Sequence, residues 1–183
     1  MSDGSMLPSD DGCMLAFVYN QKDDHRLVVL DEKNRRRYEV PLKQPKQAPF
    51  WEGGKVYVLD VSGSVQGFSI VSDRLVAEKE VTVCAGLVRT AEYVRSQHRL
   101  YLIRSGYDDQ RRVFNELLAI DFPARKTLWT KRIDEGGLLK IYDQHVCVTG
   151  GKLVQVFNCD TGEKIAGIEA AKAAESADAN AHK

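Results

Sequence analysis

The chain has 183 residues, enough for one domain with a sizeable core. Its 26 Lys and Arg match 26 Asp and Glu, so a bulk electrostatic pull toward nucleic acid or an anionic membrane is not expected. No apolar run approaches the ~20 residues that a membrane-spanning helix needs.

Residues 1 to 12, MSDGSMLPSDDG, are acidic and polar and read as a disordered lead. They have neither the basic start nor the apolar middle of a signal peptide, so a cytoplasmic protein is expected, or a periplasmic or otherwise exported one if a signal has been removed. From residue 13 to residue 168, short runs rich in Val, Leu, Ile, Tyr and Phe recur, broken by Gly, Asp, Asn and Ser. CMLAFVYN, RLVVLD and RRYEVPL come first. APFWE, KVYVLDV, SVQGFSIV and RLVAEKEVTV follow. GLVRTAEYV, RLYLIRS, ELLAIDF and KTLWTKRI come next, and LLKIYD, HVCVTG, KLVQVFN and EKIAGI close the series. These fifteen runs are expected to be strands. None of the gaps is long enough for a crossover helix, so the strands should be antiparallel. Residues 169 to 183 are Ala-rich and polar, and read as a tail.

The stretch LLAIDFPARKTLW, from Leu117, runs out on apolar residues, turns at Asp121 and returns on Leu128 and Trp129. VQVFNCDTGEKIA does the same around Asn158, with Gly162 available for a positive φ in the turn. LVVLDEKNRRRYEV turns at Asp31, and VQGFSIVSDRLVAEKEV is aligned with Ser69 at the same place. The marks at 31, 69, 121 and 158 are 38, 52 and 37 residues apart. The long interval contains SGYDDQRRVF, which reads as an extended hairpin loop, and without it every interval is close to ~40. Four strands per ~40 residues is the period of a propeller blade. An Asp or Asn at the hinge suits the turn because its side chain bonds the backbone two residues on. The Trp after the turn should lie between adjacent sheets.

These repeats resemble those of the quinoprotein-type (PQQ-like) β-propellers, in which an apolar strand leads through Asp and Thr-Gly-Lys to a returning Trp. Thr161, Gly162 and Lys164 carry the likeness best, whereas Arg125 and Lys126 stand in for Gly-Lys in the third repeat. WD-like repeats fit less well, because no repeat has the Gly-His and Trp-Asp pairs. The resemblance implies an all-β, propeller-like array of about four four-stranded antiparallel blades across residues 13 to 168. A β-sandwich or irregular barrel is the alternative for such a meander. The first repeat shows three strands instead of four. An open stack would expose an apolar blade face at each end, so closure is expected as a small ring, through a second copy, or through further chain or a partner.

Little in the sequence suggests chemistry. Cys13, Cys84, Cys147 and Cys159 form no CxxC pair and are expected to be free thiols. His25, His98 and His145 each sit just before a strand, at matching repeat positions, and read as turn residues rather than metal ligands. The acidic pairs Asp23-Asp24, Asp108-Asp109 and Asp134-Glu135 read as solvated turns. There is no G-x-S-x-G elbow, P-loop or G-x-G-x-x-G. A quinone needs a complete ring, so no cofactor is expected.

The expectation is therefore a non-catalytic protein-binding scaffold. The alternative is a segment of a propeller enzyme whose active site is completed elsewhere. The partner would be another protein or a second copy, with no strong nucleic-acid signal and no membrane span. Candidate contacts are Tyr107, Asp108, Asp109, Arg111 and Arg112 in the long loop, and Arg35, Arg36 and Arg37 in the turn of the first repeat.

Overall fold

The computed structural model describes residues 7–43 and 49–169. Four antiparallel sheets follow one another along the chain. Blade one is β1 (Leu7–Pro8), β2 (Met14–Gln21), β3 (Asp24–Asp31) and β4 (Arg36–Pro41). Blade two is β5 (Phe50–Glu52), β6 (Lys55–Leu59), β7 (Ser64–Val71) and β8 (Arg74–Ala77), with β9 (Val81–Thr82) also on β7. Blade three is β10 (Leu87–Val94), β11 (Arg99–Tyr107), β12 (Val113–Asp121) and β13 (Lys126–Ile133). Blade four is β14 (Leu138–Tyr142), β15 (His145–Gly150), β16 (Leu153–Asn158) and β17 (Lys164–Glu169).

All fifteen expected strands form, and the repeat is a meander in which the four main strands of each blade pair in chain order. RLVAEKEVTV is one fourth strand interrupted at residues 78 to 80. Its first half pairs with the end of β7 and its second half with the start, at Ser64 and Val65. The missing first strand of blade one is present and lies within the expected lead. Leu7 and Pro8 pair with Ala16 and Leu15. Two residues carry no periodicity, which is why this strand is not readable, and Pro8 is tolerated because β1 is an edge. Residues 1 to 6 of the lead and 170 to 183 of the tail lie outside the described residues.

The Asx hinges work as expected at three of the four turns. The Asp31 carboxylate accepts the Asn34 N–H at 2.9 Å, and Asp121 accepts that of Ala124 at 3.0 Å. Asn158 accepts from Asp160 at 2.8 Å and from Thr161 at 3.0 Å. The reach is three residues in the two Asp turns, one more than expected. The alignment at Ser69 needs correction. Ser69 lies inside β7, paired with Val76, and β7 ends at Val71. There Ser72 and Asp73 take φ of 48° and 65°, a two-residue turn whose backbone twist already suits the hairpin and needs no side-chain cap. Asp121→Ala should cost ~0.5–1.5 kcal/mol, the usual net worth of such a bond. The check is a lowered urea midpoint with an unchanged slope.

Strand alternation gives each blade two apolar faces, and neighbouring blades share a core. Ala16, Leu27, Val29 and Tyr38 of blade one pack on Trp51, Val56, Val58 and Phe68 of blade two. Phe50, Leu59 and Val65 of blade two pack on Leu100, Leu102, Leu118 and Ile120 of blade three. Tyr101, Leu117, Ala119 and Trp129 of blade three pack on Leu139, Val146, Val148 and Phe157 of blade four. Among the described residues no core cluster joins blade four to blade one. The stack is an open arc.

A candidate binding edge on the lower face

In a meander of four strands, the turns alternate between the two ends of the sheet. The turns from first to second and from third to fourth strand share one face of the arc, here the upper. The turns from second to third strand and the connectors between blades share the lower face.

The expected long loop is on the lower face, but little of it is loop. β11 and β12 stay paired as far as Tyr107 and Val113, so the extra residues lengthen the hairpin and only residues 108 to 112 form its tip. The tip folds around Asp108. Its carboxylate accepts the Gln110 and Arg112 N–H groups at 2.9 Å each and pairs with the Arg112 guanidinium. Those bonds, the Arg112 backbone first, hold the Asp108 carboxyl below its usual range. Arg111 takes the left-handed position, with φ of 59°. Asp109 is exposed beside it. Tyr107 (74%) and Val113 (64%) are exposed on the arms. Arg132 lies over the Phe114 ring at 5.6 Å, which supports the base of the hairpin.

The hairpin borders an open cleft of ≈ 450 Å³ between blades three and four, lined by Arg89, Ser105, Val113, Asn115, Asp134 and Glu135. Asp134 and Glu135 are solvent-exposed, as expected, and also line this cleft. The buried Gln155 amide holds Asp134 at both ends, accepting its N–H at 3.2 Å and donating to its carboxylate at 3.0 Å. Ser105 donates to the Asn115 amide oxygen at 2.7 Å and accepts from Arg89 at 3.3 Å. An amide oxygen is no base, so Ser105 is not set up as a nucleophile.

Arg35, Arg36 and Arg37 sit in and after the third-to-fourth turn of blade one, on the upper face. The structure does not bring them to the hairpin. Arg35 holds the left-handed turn position, with φ of 51°. Arg36 pairs with Asp73 in the matching turn of blade two, and Arg37 pairs with Glu39 at 2.8 Å.

The upper face also holds a cluster that the sequence did not reveal. A 3-10 turn at Arg95–Gln97, closed by His98, reaches all three other blades. Arg95 pairs with Asp10 at 3.0 Å and donates to the Pro8 carbonyl at 2.8 Å in blade one. Glu52 of blade two accepts from Tyr93 and lies 2.9 Å from His98 Nδ1. Gln97 donates to the Asp143 carbonyl of blade four at 3.3 Å. Burial, then the Glu52 carboxylate, pushes the Tyr93 phenol up, away from the range useful for proton transfer. His25 does not match His98 and His145. It lies at the start of a third strand and so at the opposite end of the sheet. The four cysteines are unpaired, with Cys84 and Cys159 buried. Among the described residues no group of three or more His, Cys, Asp or Glu is arranged to hold a metal ion.

No family model matches the chain, and no curated protein matches it significantly. Solved structures do. BamB from Moraxella catarrhalis aligns at 14% identity with a TM-score of 0.52, over 91% of this chain and 64% of that one. A chain of a mitotic checkpoint complex aligns at 13% identity and 0.58, over 91% and 52%. The acylaminoacyl peptidase of Pyrococcus horikoshii aligns at 11% identity and 0.64, over 88% and 32%. BamB and the checkpoint chain are β-propellers.

The fold is that of a β-propeller.

This propeller arc spans less than two thirds of each of these three chains. At such identities the likeness shows the fold alone. Nor is any helix among the described residues long and apolar enough to cross a membrane.

Proposed function

We propose that this propeller is a non-catalytic protein-binding scaffold whose binding edge is the Tyr107–Val113 hairpin with the cleft beside it. The observation that carries the reading is an exposed Tyr and Val on a hairpin longer than a blade needs, projecting from a blade packed on both faces. Rigid scaffolds present contacts on such projections. Tyr is a frequent anchor of protein interfaces, and the charged tip supplies a polar rim. A propeller chain within a mitotic checkpoint complex supports protein binding as a use of the fold. We read the repeats as quinoprotein-type on the Thr161, Gly162 and Lys164 turn, without the cofactor. A cytoplasmic location belongs to the same reading, supported by the wide cysteine spacing, since free thiols persist in reducing compartments.

A second reading, a segment of a propeller enzyme, draws on the Glu52, Tyr93 and His98 cluster and on the peptidase neighbour. Against it, both Glu52 oxygens are engaged and the Tyr93 phenol is held protonated.

Replacing residues 108 to 112 with Asn-Gly keeps a two-residue turn between paired arms and should leave the fold intact. Tyr107→Ala should weaken binding of the proteins captured by the full chain at least tenfold, and the tip replacement, which keeps Tyr107 and Val113, should weaken it by less. Capture of the same proteins at unchanged affinity by both variants would place the binding edge elsewhere.

A further inference from the structure

Blade four is the last blade among the described residues, none of which covers its outer face, and that face carries the residue pattern by which earlier blades receive the next one. Counting back from each hinge shows this. In blade one, Val29 and Leu27 lie two and four residues before Asp31, buried against blade two. In blade three, Ala119 and Leu117 lie two and four before Asp121, buried against blade four. In blade four, Val156 and Val154 occupy the same places before Asn158, half-buried, and no blade among the described residues packs on them. Their cross-strand partners complete the face. Val154 pairs with Ile168 and Val156 with Ala166. Leu138 and Tyr142 continue it on β14. Leu138 (72%), Tyr142 (63%) and Ile168 (59%) are among the most exposed large apolar residues of the described chain. Ala166 stands where blades one and three have Tyr38 and Trp129, so this face is also hollow where theirs are full.

The opposite end of the arc presents the complement. Residues one and three before the hinge face the preceding blade: Ile120 and Leu118 in blade three are buried there against blade two. Their counterparts in blade one, Leu30 and Val28, lie with Leu15 and Phe17 on the outer face of that blade. Around Phe17, Val28 and Arg37 this face has a hollow of ≈ 280 Å³. Its charges are paired among themselves, Arg26 with Asp24 and Glu39, and Arg37 with Glu39, so apolar contact across it strands no free charge.

We propose that two copies of this chain associate head to tail, the outer face of blade four in each seated on the outer face of blade one in the other, to close one ring. This deepens the scaffold reading by naming a second copy as a partner. Surface area favours a closed pair over a single contact. Four strands ~4.8 Å apart and six residues long make a face of roughly 400 Å². One joint therefore buries roughly 800 Å² from both partners together, the scale of a packing contact, while two joints bury roughly 1,600 Å², that of a stable complex. Residues 170 to 183 offer no Leu, Ile, Val, Phe or Trp, so the tail is a poor cover for the same face.

The test is mass in solution across about 1–100 μM, by sedimentation equilibrium on the full chain. The expected mass is twice the 20.5 kDa of one chain. Leu138→Glu, on one face, and Phe17→Glu, on the other, should each return the protein to monomer with an unchanged far-UV spectrum. Cys147, on the outer face of blade four, gives a readout without substitution. Its reaction with a thiol reagent should slow at least several-fold as the native protein concentration rises. A native protein that stays monomeric, with Cys147 equally reactive throughout, overturns the proposal. A dimer that survives Phe17→Glu but not Leu138→Glu overturns it in favour of blade four pairing with blade four. Assemblies that keep growing overturn ring closure. Partner capture through the hairpin, measured on monomeric Leu138→Glu, is a separate result, so failure of the pairing leaves the scaffold reading testable.

Discussion

Trp129→Ala should destabilise the protein by ~3–5 kcal/mol, the range for emptying a buried aromatic site. The ring fills the joint between blades three and four, 9% exposed, with its indole N–H donating to the Cys159 carbonyl at 2.9 Å. Gly162 lies directly on it: a Cβ there would come within 2.6 Å of the ring, and the φ of 66° also favours glycine. The turn of blade four is thus shaped against the indole and cannot collapse far into the hole. The measurement is equilibrium unfolding in urea, with the adjacent Leu128→Ala as control. Leu128 is exposed, so its loss should stay within about 0.5 kcal/mol. A cost for Trp129→Ala below ~1 kcal/mol would mean that the ring does not fill the joint.

Gly63→Ala should be nearly as harmful, for a different reason. Gly63 has a φ of 83°, and a Cβ there would meet the Cys84 carbonyl oxygen at 2.3 Å and its sulfur at 2.6 Å. A left-handed alanine costs roughly 1–2 kcal/mol. The overlap adds ~1–3 kcal/mol, because backbone rather than a flexible chain end must move. The Gly63 carbonyl also receives the Val83 N–H at 2.9 Å, so the shift would pull on the joint between blades two and three. Unfolding in urea should show a loss of ~2–5 kcal/mol. A change under ~1 kcal/mol would mean that the connector at residues 83 to 86 is free to yield.

What the sequence made readable follows from how locally each feature is encoded. A strand of five or more alternating residues announces itself, and every expected run formed. Leu7–Pro8 was missed because two residues have no period. Ser69 was misaligned because the turn it stood for relies on backbone twist at Ser72 and Asp73 and leaves no Asx mark. SGYDDQRRVF looked like a loop because Gly, Asp and Arg are poor strand formers, yet pairing from Gly106 to Phe114 across the hairpin overrides them. The site behaved similarly. Residues 107 to 112 stood out as an interruption of the period, and they do project from the fold. Arg35 to Arg37 looked equivalent as charge, but strand direction puts them on the other face. The Asp10, Glu52, Arg95 and His98 cluster was invisible, since its members come from turns about forty residues apart and only stacking makes them neighbours.

The pairing of the four main strands of each blade in chain order also bears on synthesis. At ~5–20 residues per second, the next ~40 residues take seconds to emerge, whereas a hairpin forms in microseconds. Each sheet can therefore be complete while its successor is still being made. During that interval a leading sheet shows the nascent chain's surroundings an apolar surface that only later residues will hide. Val29 and Tyr38 must wait for Trp51, and Ala119 and Trp129 for Phe157. Translation speed, as much as final stability, sets how long those surfaces stand open to the wrong neighbour.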